Sequence, residues 1–311
     1  MLDLRRLRLL KEFAERGTIT ATAAALGYTP SAVSQQLAAL EREAGTALLD
    51  RTARSAELTD AGLRLAEHAE NILAAVEEAE ADLSVQAREP SGRVSVAAFP
   101  SAAAAFAPAL ARSLRVHPGL TLLLRQTPRV EGLRQVSSAE VDVALVDDWS
   151  GGLADTEPSL LRFYPLVRDP LVLVVPRGHR LADPAEPVDL RQLRETSRWM
   201  AAPAGEPSRQ AVDRLLARAG GAPPVPWEFE GLGTILSLVA RGIGIAAVPR
   251  LALAAGEARV VVRELPEGSP AREVYAVARA ASVRRPSVAV ILTALHDGAK
   301  HLPGRSGGAR T

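Results

Sequence analysis

Apolar positions in the first 58 residues recur with helical spacing in three short blocks. Leu7, Leu10 and Phe13/Ala14 make one helical face, which Gly17 closes as a C′ glycine. Thr18 or Thr20 caps a second helix. Its small residues, Ala21-Thr22-Ala23-Ala24-Ala25-Leu26, let a neighbour approach closely before Gly27-Tyr28-Thr29-Pro30 turns the chain. The third helix starts at Pro30 or Ser31. Its inward face is Val33, Leu37 and Leu40, which leaves Ser31, Ser34 and Gln35 outward near the N-terminus. Two short helices joined by a glycine-containing turn, the second starting with small polar residues, form a helix-turn-helix. Leu48 to Leu58 then has apolar ends around an arginine-bearing polar turn, the pattern of a small β wing.

At Leu58 the period changes. Leu58, Gly62, Leu65, Ala69, Ile72, Val76, Ala79 and Leu83 alternate spacings of 4 and 3 for almost four heptads, the seam of a coiled coil, with Glu67, Glu70, Glu77, Glu78, Glu80 and Asp82 off it. So narrow a stripe suits another helix rather than a domain core. A dimerisation helix over 59–90 is therefore expected, pairing through Leu65, Ala69, Ile72, Val76, Ala79 and Leu83; a surface helix packed on its own domain is the alternative. Arg88-Glu89-Pro90-Ser91-Gly92 ends it as a linker.

From Arg93 onward the pattern is α/β. Strands are expected at 94–99, 120–125 and 141–146 with helices at 102–116 and 130–137 between them, a βαβαβ unit. A second set follows, with strands at 171–175, 198–201, 226–230 and 243–248 and helices near 189–194, 208–219 and 234–241. Strands at 259–265 and 273–279 and a helix at 286–296 close the chain. Two lobes, 91–163 with 266–296 and 164–265, would cross near Tyr164 and Leu265 and leave a cleft suited to a small ligand. The tail, 297–311, is rich in glycine without an apolar period and is expected to be disordered.

Composition narrows the function. Among 311 residues, 47% are hydrophobic, 37 are basic and 36 acidic, and none is cysteine, which rules out disulfides, thiol nucleophiles and Cys-based metal sites. Charged residues interrupt the N-terminal leucines, so no signal-peptide core forms, and the alanine-rich stretch from Val94 to Ala111 makes a poor membrane span; the protein reads as cytoplasmic with no membrane partner. Net charge is +1 over residues 1–58, −6 over 59–90 and +6 beyond. A +1 module is a weak electrostatic footprint for DNA and leaves open a plain three-helix packing module. The side chains nevertheless suit a duplex: Ser31 and Ser34 can reach phosphates or base edges, Gln35 can pair with adenine, and Arg51 and Arg54 can reach a phosphate or the minor groove.

The run from Ala23 to Glu41, with Gly45, Leu48-Leu49-Asp50-Arg51 and Leu58-Thr59-Asp60-Ala61-Gly62, closely resembles the N-terminal region of LysR-type transcriptional regulators. Leu49 and Asp50 stand where that family more often has phenylalanine and glutamate. His179-Arg180-Leu181 and Gly242 to Pro249 resemble stretches of the family's effector domains, so the likeness covers about 295 residues. It implies an α/β protein with an N-terminal winged helix-turn-helix, a long linker helix, and a two-lobed effector domain like a periplasmic binding protein. It also implies a homodimer, assembling into a tetramer, on double-stranded promoter DNA carrying an interrupted palindrome. The DNA-contact candidates are Thr20, Thr29, Pro30, Ser31, Ser34, Gln35, Arg51 and Arg54.

Effector contacts are expected where strands end: Ser101 and Ala102 at one helix start, Thr127 after the second strand, then Ala202, Pro203, Phe229 and Thr234 in the other lobe. Ser101 and Thr234 are equally readable as plain N-caps. The apolar run Ala102 to Phe106 points to an effector with an apolar portion, whose identity the sequence leaves open. Enzyme signals are weak. Gly231-Leu232-Gly233 lacks the third glycine of a dinucleotide fingerprint, the five histidines have no metal spacing, and neither a Gly-x-Ser-x-Gly elbow nor a phosphate-binding loop occurs. No catalytic residue, metal or cofactor is expected. A solute-binding protein would share the two lobes but give the first 90 residues no purpose.

Overall fold

The computed structural model describes residues 1–51, 56–85, 90–153, 160–221, 227–255 and 259–302. The chain divides into two compact units, Met1–Arg88 with Ala281–Arg285 and Glu89–Ala280 with Pro286–Thr311.

In the first unit α1 (Leu4–Arg16), α2 (Ile19–Leu26) and α3 (Pro30–Ala44) each begin on a side-chain cap and end on a glycine. Asp3, Thr18 and Thr29 accept the free first-turn amides, and Gly17, Gly27 and Gly45 adopt φ near +70°, which a Cβ would strain. Thr18, not Thr20, caps α2. Leu7, Leu10, Phe13, Val33, Leu37 and Leu40 form the core, joined by Leu48 and Leu49 from the wing. The wing pairs β1 (Leu49–Arg51) antiparallel with β2 (Ala56–Leu58). Glu41 fixes it to α3, its Oε1 accepting the Leu48 and Leu49 amides, both at 3.0 Å.

The long helix α4 (Asp60–Val85) follows directly, started by Thr59. Its seam is divided. Gly62 and Ala69 are buried within the unit, where α4 packs on α1, whereas Ile72 and Ala79 are exposed. The reading of a helix packed on its own unit thus fits the first half of α4, up to Ala69. A Cβ on Gly62 would collide with the Leu48 carbonyl oxygen and lie 2.9 Å from Leu58 Cδ2. Helix propensity alone would make Gly62→Ala stabilising by about 1 kcal/mol. The collision is with backbone, so the variant is expected instead to lower the thermal midpoint of the N-terminal unit, by at least about 1 kcal/mol of stability. An unchanged or raised midpoint would contradict this packing.

The second unit is built on one sheet ordered β10-β6-β11-β5-β3-β4, with β9 also on β6. β3 (Gly92–Ala98), β4 (Leu120–Gln126) and β5 (Val143–Asp148) are parallel, linked by α5 (Pro100–Val116) and α6 (Arg129–Ser137). β6 (Leu161–Pro176) is the spine. Leu161 to Pro170 pair with β11 (Ala271–Arg279), and Leu171 to Pro176 pair with β9 (Ala246–Pro249) and β10 (Val260–Arg263). The chain therefore passes between lobes at Pro170/Leu171, inside a continuous strand, rather than at Tyr164 as expected. Pro170, without an N–H, stands where β6 changes partners. Beyond this point Leu171, Leu173 and Val175 enter one core and Val172 and Val174 another, the period-2 signature of a strand buried on both faces.

The second lobe adds α7 (Leu190–Thr196), α8 (Pro207–Ala217), α9 (Leu232–Ala240) and the short parallel pair β7 (Met200–Ala201) and β8 (Trp227–Glu228). α10 (Pro286–Lys300) closes the chain and runs four residues into the segment read as disordered. Gly298 permits this, because a Cβ there would come within 2.7 Å of Ala109 Cβ on α5. Residues 303–311 lie outside those described. A 3-10 helix, Arg250–Ala255, packs on α5. Within α5, Ala102 is buried and Ala103, Ala104 and Ala105 are half-buried.

Candidate DNA-binding and effector sites

On the first unit, Thr20, Thr29, Pro30, Ser31 and Gln35 are exposed and Ser34 is half-buried. Thr29 has a structural duty as well, since its Oγ1 accepts the Ala32 amide and lies 3.1 Å from Ser31 Oγ. Arg51 ends β1 and Arg54 lies outside the described residues. Tyr28, which sequence reasoning passed over, is 52% exposed beside the start of α3. An aromatic in a turn is normally a core residue, so only its position reveals it.

The weak net charge also resolves locally. Arg6, Lys11 and Arg16 are ion-paired with Glu43, Glu15 and Glu12, whereas exposed Arg5, Arg8, Arg42 and Arg64 have no acidic partner among the described residues. Arg6 Nε also donates to Gln36 Oε1 at 2.9 Å, tying α1 to α3 one residue from Gln35. Along α4, Leu65 and Val76 are half-buried; Leu83 lies in the helix without a described side chain.

In the second unit the expected effector residues form two groups. Ser101 and Ala102 open α5, and Thr127 follows β4; the register Ala98↔Gln126 and the Thr127 amide on Ala98 O (2.9 Å) place them side by side. Ala202 and Pro203 follow β7 and Phe229 follows β8, joined by the register Ala201↔Glu228 and the Phe229 amide on Ala201 O (3.0 Å). Thr234 is exposed in the first turn of α9, whose start is the positive-φ Gly231 rather than a side-chain cap. Ser101 is not a cap either: the residue at that position is Phe99, which makes no side-chain cap bond. The Thr127 side chain, 8% exposed, has no hydrogen-bond partner among the described residues.

What the sequence did not reveal is a buried arginine at the centre of this unit. Arg272, on β11, is 4% exposed. Its Nε donates to Asp169 Oδ2 (2.8 Å), its Nη1 to Asp147 Oδ2 (2.9 Å) and its Nη2 to Ser101 Oγ (2.8 Å). The guanidinium stands 4.6 Å from the Phe99 ring centre and 5.7 Å from that of Trp149. Asp169 Oδ1 in turn accepts the Leu251 amide at 2.9 Å. Burial pushes the Asp169 carboxyl up, against the pull of Arg272 and of the Leu251 amide. The cluster sits where β6 leaves one lobe for the other and ties α5 and β5 to the 3-10 helix at Arg250.

Asp148, next along β5, faces the opposite side of the sheet and serves the backbone. Its Oδ1 accepts the Ser150 and Gly151 amides and the Ser150 hydroxyl, and its Oδ2 the Leu153 amide. Burial alone would raise its carboxyl, but these donors outweigh it and hold the group below the usual range. Such a group adds stability above its unfolded value near pH 3.9 and loses it as pH falls through the lower folded value. Asp148→Asn is expected to unfold at a lower temperature at pH 7, with the gap to the parent closing below about pH 4. A constant gap from pH 7 to pH 2.5 would refute that role.

His179, the histidine nearest to an arginine, has its ring occupied: Nδ1 accepts the Leu181 amide at 3.2 Å, and burial with neighbouring Arg180 lowers its pKa. No group of three or more possible metal ligands occurs among the described residues, and no described helix is long and apolar enough to cross a membrane.

Comparison with known proteins places both units. Residues 4–63 match the model of the bacterial regulatory helix-turn-helix protein, lysR family, and residues 87–300 match the LysR substrate binding domain. The chain is 30% identical over 312 residues to the HTH-type transcriptional regulator CbbR of Xanthobacter flavus, covering 98% of this chain and 91% of that one. It is 30% identical over 269 residues to the regulator YfeR of Shigella flexneri, covering 86% and 82%. Among solved structures, a full-length OxyR variant of Pseudomonas aeruginosa matches with TM-score 0.67 at 18% identity, over 95% of each chain. Full-length CbnR complexed with its target DNA matches with TM-score 0.54 at 21% identity, over 96% and 100%. The helix-turn-helix unit and the lobed α/β unit are thus the two parts of one known architecture, and the chain belongs to the LysR family of transcriptional regulators, DNA-binding proteins with an effector-binding domain rather than enzymes.

Proposed function

We propose that this regulator acts in the cytoplasm as a homodimer, assembling further into a tetramer, that binds an interrupted palindrome through paired winged helices. Thr29, Pro30, Ser31, Ser34 and Gln35 would enter the major groove. Thr20, Arg51, Arg54 and Tyr28 would hold the backbone or the minor groove at its edge. The second half of the α4 seam, Ile72, Val76, Ala79 and Leu83, would pair subunits, with Ile72 and Ala79 exposed, while Leu65 and Ala69 serve mainly the unit's own packing. The observation that carries the DNA reading is the exposed polar start of α3, clear of the acidic partners that neutralise Arg6, Lys11 and Arg16.

The effector is a small molecule with acceptor oxygens, a carboxylate or phosphate, held at Ser101, Ala102 and Thr127 and covered by Ala202, Pro203, Phe229 and Thr234. Phe99 gives α5 no side-chain cap, so its first amides remain available, and the unpartnered Thr127 hydroxyl adds a donor. Its binding would change the angle between lobes, hence the spacing of the DNA-binding pairs and the bend of the DNA. Thiol chemistry is excluded as the signal because the chain has no cysteine. A gel shift on the promoter region beside its own gene tests the core of this reading. A sequence-preferring, salt-sensitive complex is expected, and only salt-sensitive binding without preference would defeat it.

A further inference from the structure

Arg272 has two carboxylates for one positive charge. Asp147 and Asp169 both bond it, so the cluster carries a formal charge of −1 in a setting where Arg272 is 4% and Asp169 1% exposed. Arg272 also donates to Ser101 Oγ at 2.8 Å. With that lone pair occupied, the Ser101 O–H is left as a donor for whatever sits at the start of α5. An anion there lies one hydroxyl away from a guanidinium that two carboxylates already surround. Three negative charges about one desolvated cation are not a stable arrangement, so one carboxylate has to give way.

The two are not equivalent. Asp169 is held on both oxygens, by the Leu251 amide and by Arg272. Asp147 is more exposed, 13% for its side chain, and besides Arg272 it bonds the Trp149 indole Nε1 at 3.1 Å, through the same Oδ2. Trp149 packs against the core of the second lobe formed by Leu171, Leu173 and Trp199 and also lies over the Arg272 guanidinium.

We propose that an anionic effector at Ser101 displaces Asp147 from Arg272, and that Trp149, losing its carboxylate partner, transmits the event to the second lobe. This rests on the effector reading above. Effector charge sensed at α5 is thereby turned into a packing change across the β6 crossing, with Arg272 as the positioning residue and Asp147 as a resident competitor for it.

The test uses the full chain with acetate, succinate, benzoate and inorganic phosphate as probes, read by thermal shift, by tryptophan fluorescence and by footprinting on its own promoter. A merely structural Asp147 would weaken probe binding when replaced. A competitor does the opposite: Asp147→Asn is expected to bind the preferred probe roughly tenfold more tightly, and without probe to give the footprint that the parent gives only with it. Trp149→Phe is expected to bind the probe as the parent does yet leave the footprint unmoved. Tightest response to phosphate rather than a carboxylate would identify the anion as a phosphate ester. If probes bind the parent but Asp147→Asn binds no more tightly, the competitor role is overturned while the effector site stands. If the Trp149→Phe footprint still responds, the relay is overturned. If no probe shifts the parent or Asp147→Asn, the anionic effector reading falls together with this proposal.

Discussion

Arg272→Met is expected to lower the unfolding free energy of the C-terminal unit by about 3–5 kcal/mol. The methionine fills much of the same volume and keeps the contact with Phe99, so the cost comes from charge rather than from a cavity. Asp169, 1% exposed, is left facing Asp147, and among the described residues only the Leu251 amide still donates to it. Removing one partner of a buried pair costs far more than the pair itself contributes, because a lone buried carboxylate must be desolvated or protonated. Two further variants distinguish charge from shape. Arg272→Met with Asp169→Asn and Asp147→Asn is expected to recover most of the loss, whereas Arg272→Lys, which keeps the charge but replaces the extended planar fork by a compact point charge, is expected to fall in between. Urea unfolding of the full chain, followed by tryptophan fluorescence, measures all three; the chain's three tryptophans all lie in the C-terminal unit. A loss under about 1 kcal/mol for Arg272→Met would mean that water already solvates the cluster and that it does not hold the lobes together.

That cluster also marks the limit of what the sequence reveals. Caps and helix ends are decided by neighbours in the chain: Thr18 and Thr29 meet amides three residues on, and Gly17, Gly27 and Gly45 take the φ that other residues avoid. The three helices, the wing and most strands of the α/β unit were therefore readable. The first half of β6 was not, because Pro165, Pro170, Arg162, Arg168 and Asp169 break the alternation that advertises a strand, and its order comes from pairing with β11, more than 100 residues later. The Arg272 cluster is less readable still. Its partners stand 103, 125 and 171 residues away, and nothing in the sequence separates this arginine from the others. The heptad seam is ambiguous in a different way: its repeat is real, but Ala69 is buried in the unit's own core, where α4 packs on α1, so the period alone does not say which partner each position meets.

Gln35→Ala addresses the other end of the molecule and should leave folding unaffected, because Gln35 is exposed and carries none of the caps or ion pairs that hold α3. Its amide can donate and accept at once, the pattern that adenine presents in the major groove, and such a contact is worth about 1–3 kcal/mol of discrimination. Affinity for the operator is expected to fall by roughly 5- to 150-fold, and affinity for unrelated duplex by less than about twofold. The slope of affinity against salt should stay the same, since no phosphate contact has been removed. Arg5→Ala and Arg8→Ala give the contrast, because both arginines are exposed and without acidic partners among the described residues. Loss of a phosphate contact lowers specific and non-specific binding together and flattens the salt slope by about 1 per contact. Titration of each variant on operator and on scrambled DNA at several salt concentrations separates the two signatures. If Gln35→Ala reduced both affinities equally and flattened the slope, Gln35 would be a backbone contact, and base recognition would fall to Ser31, Ser34 or Tyr28 instead.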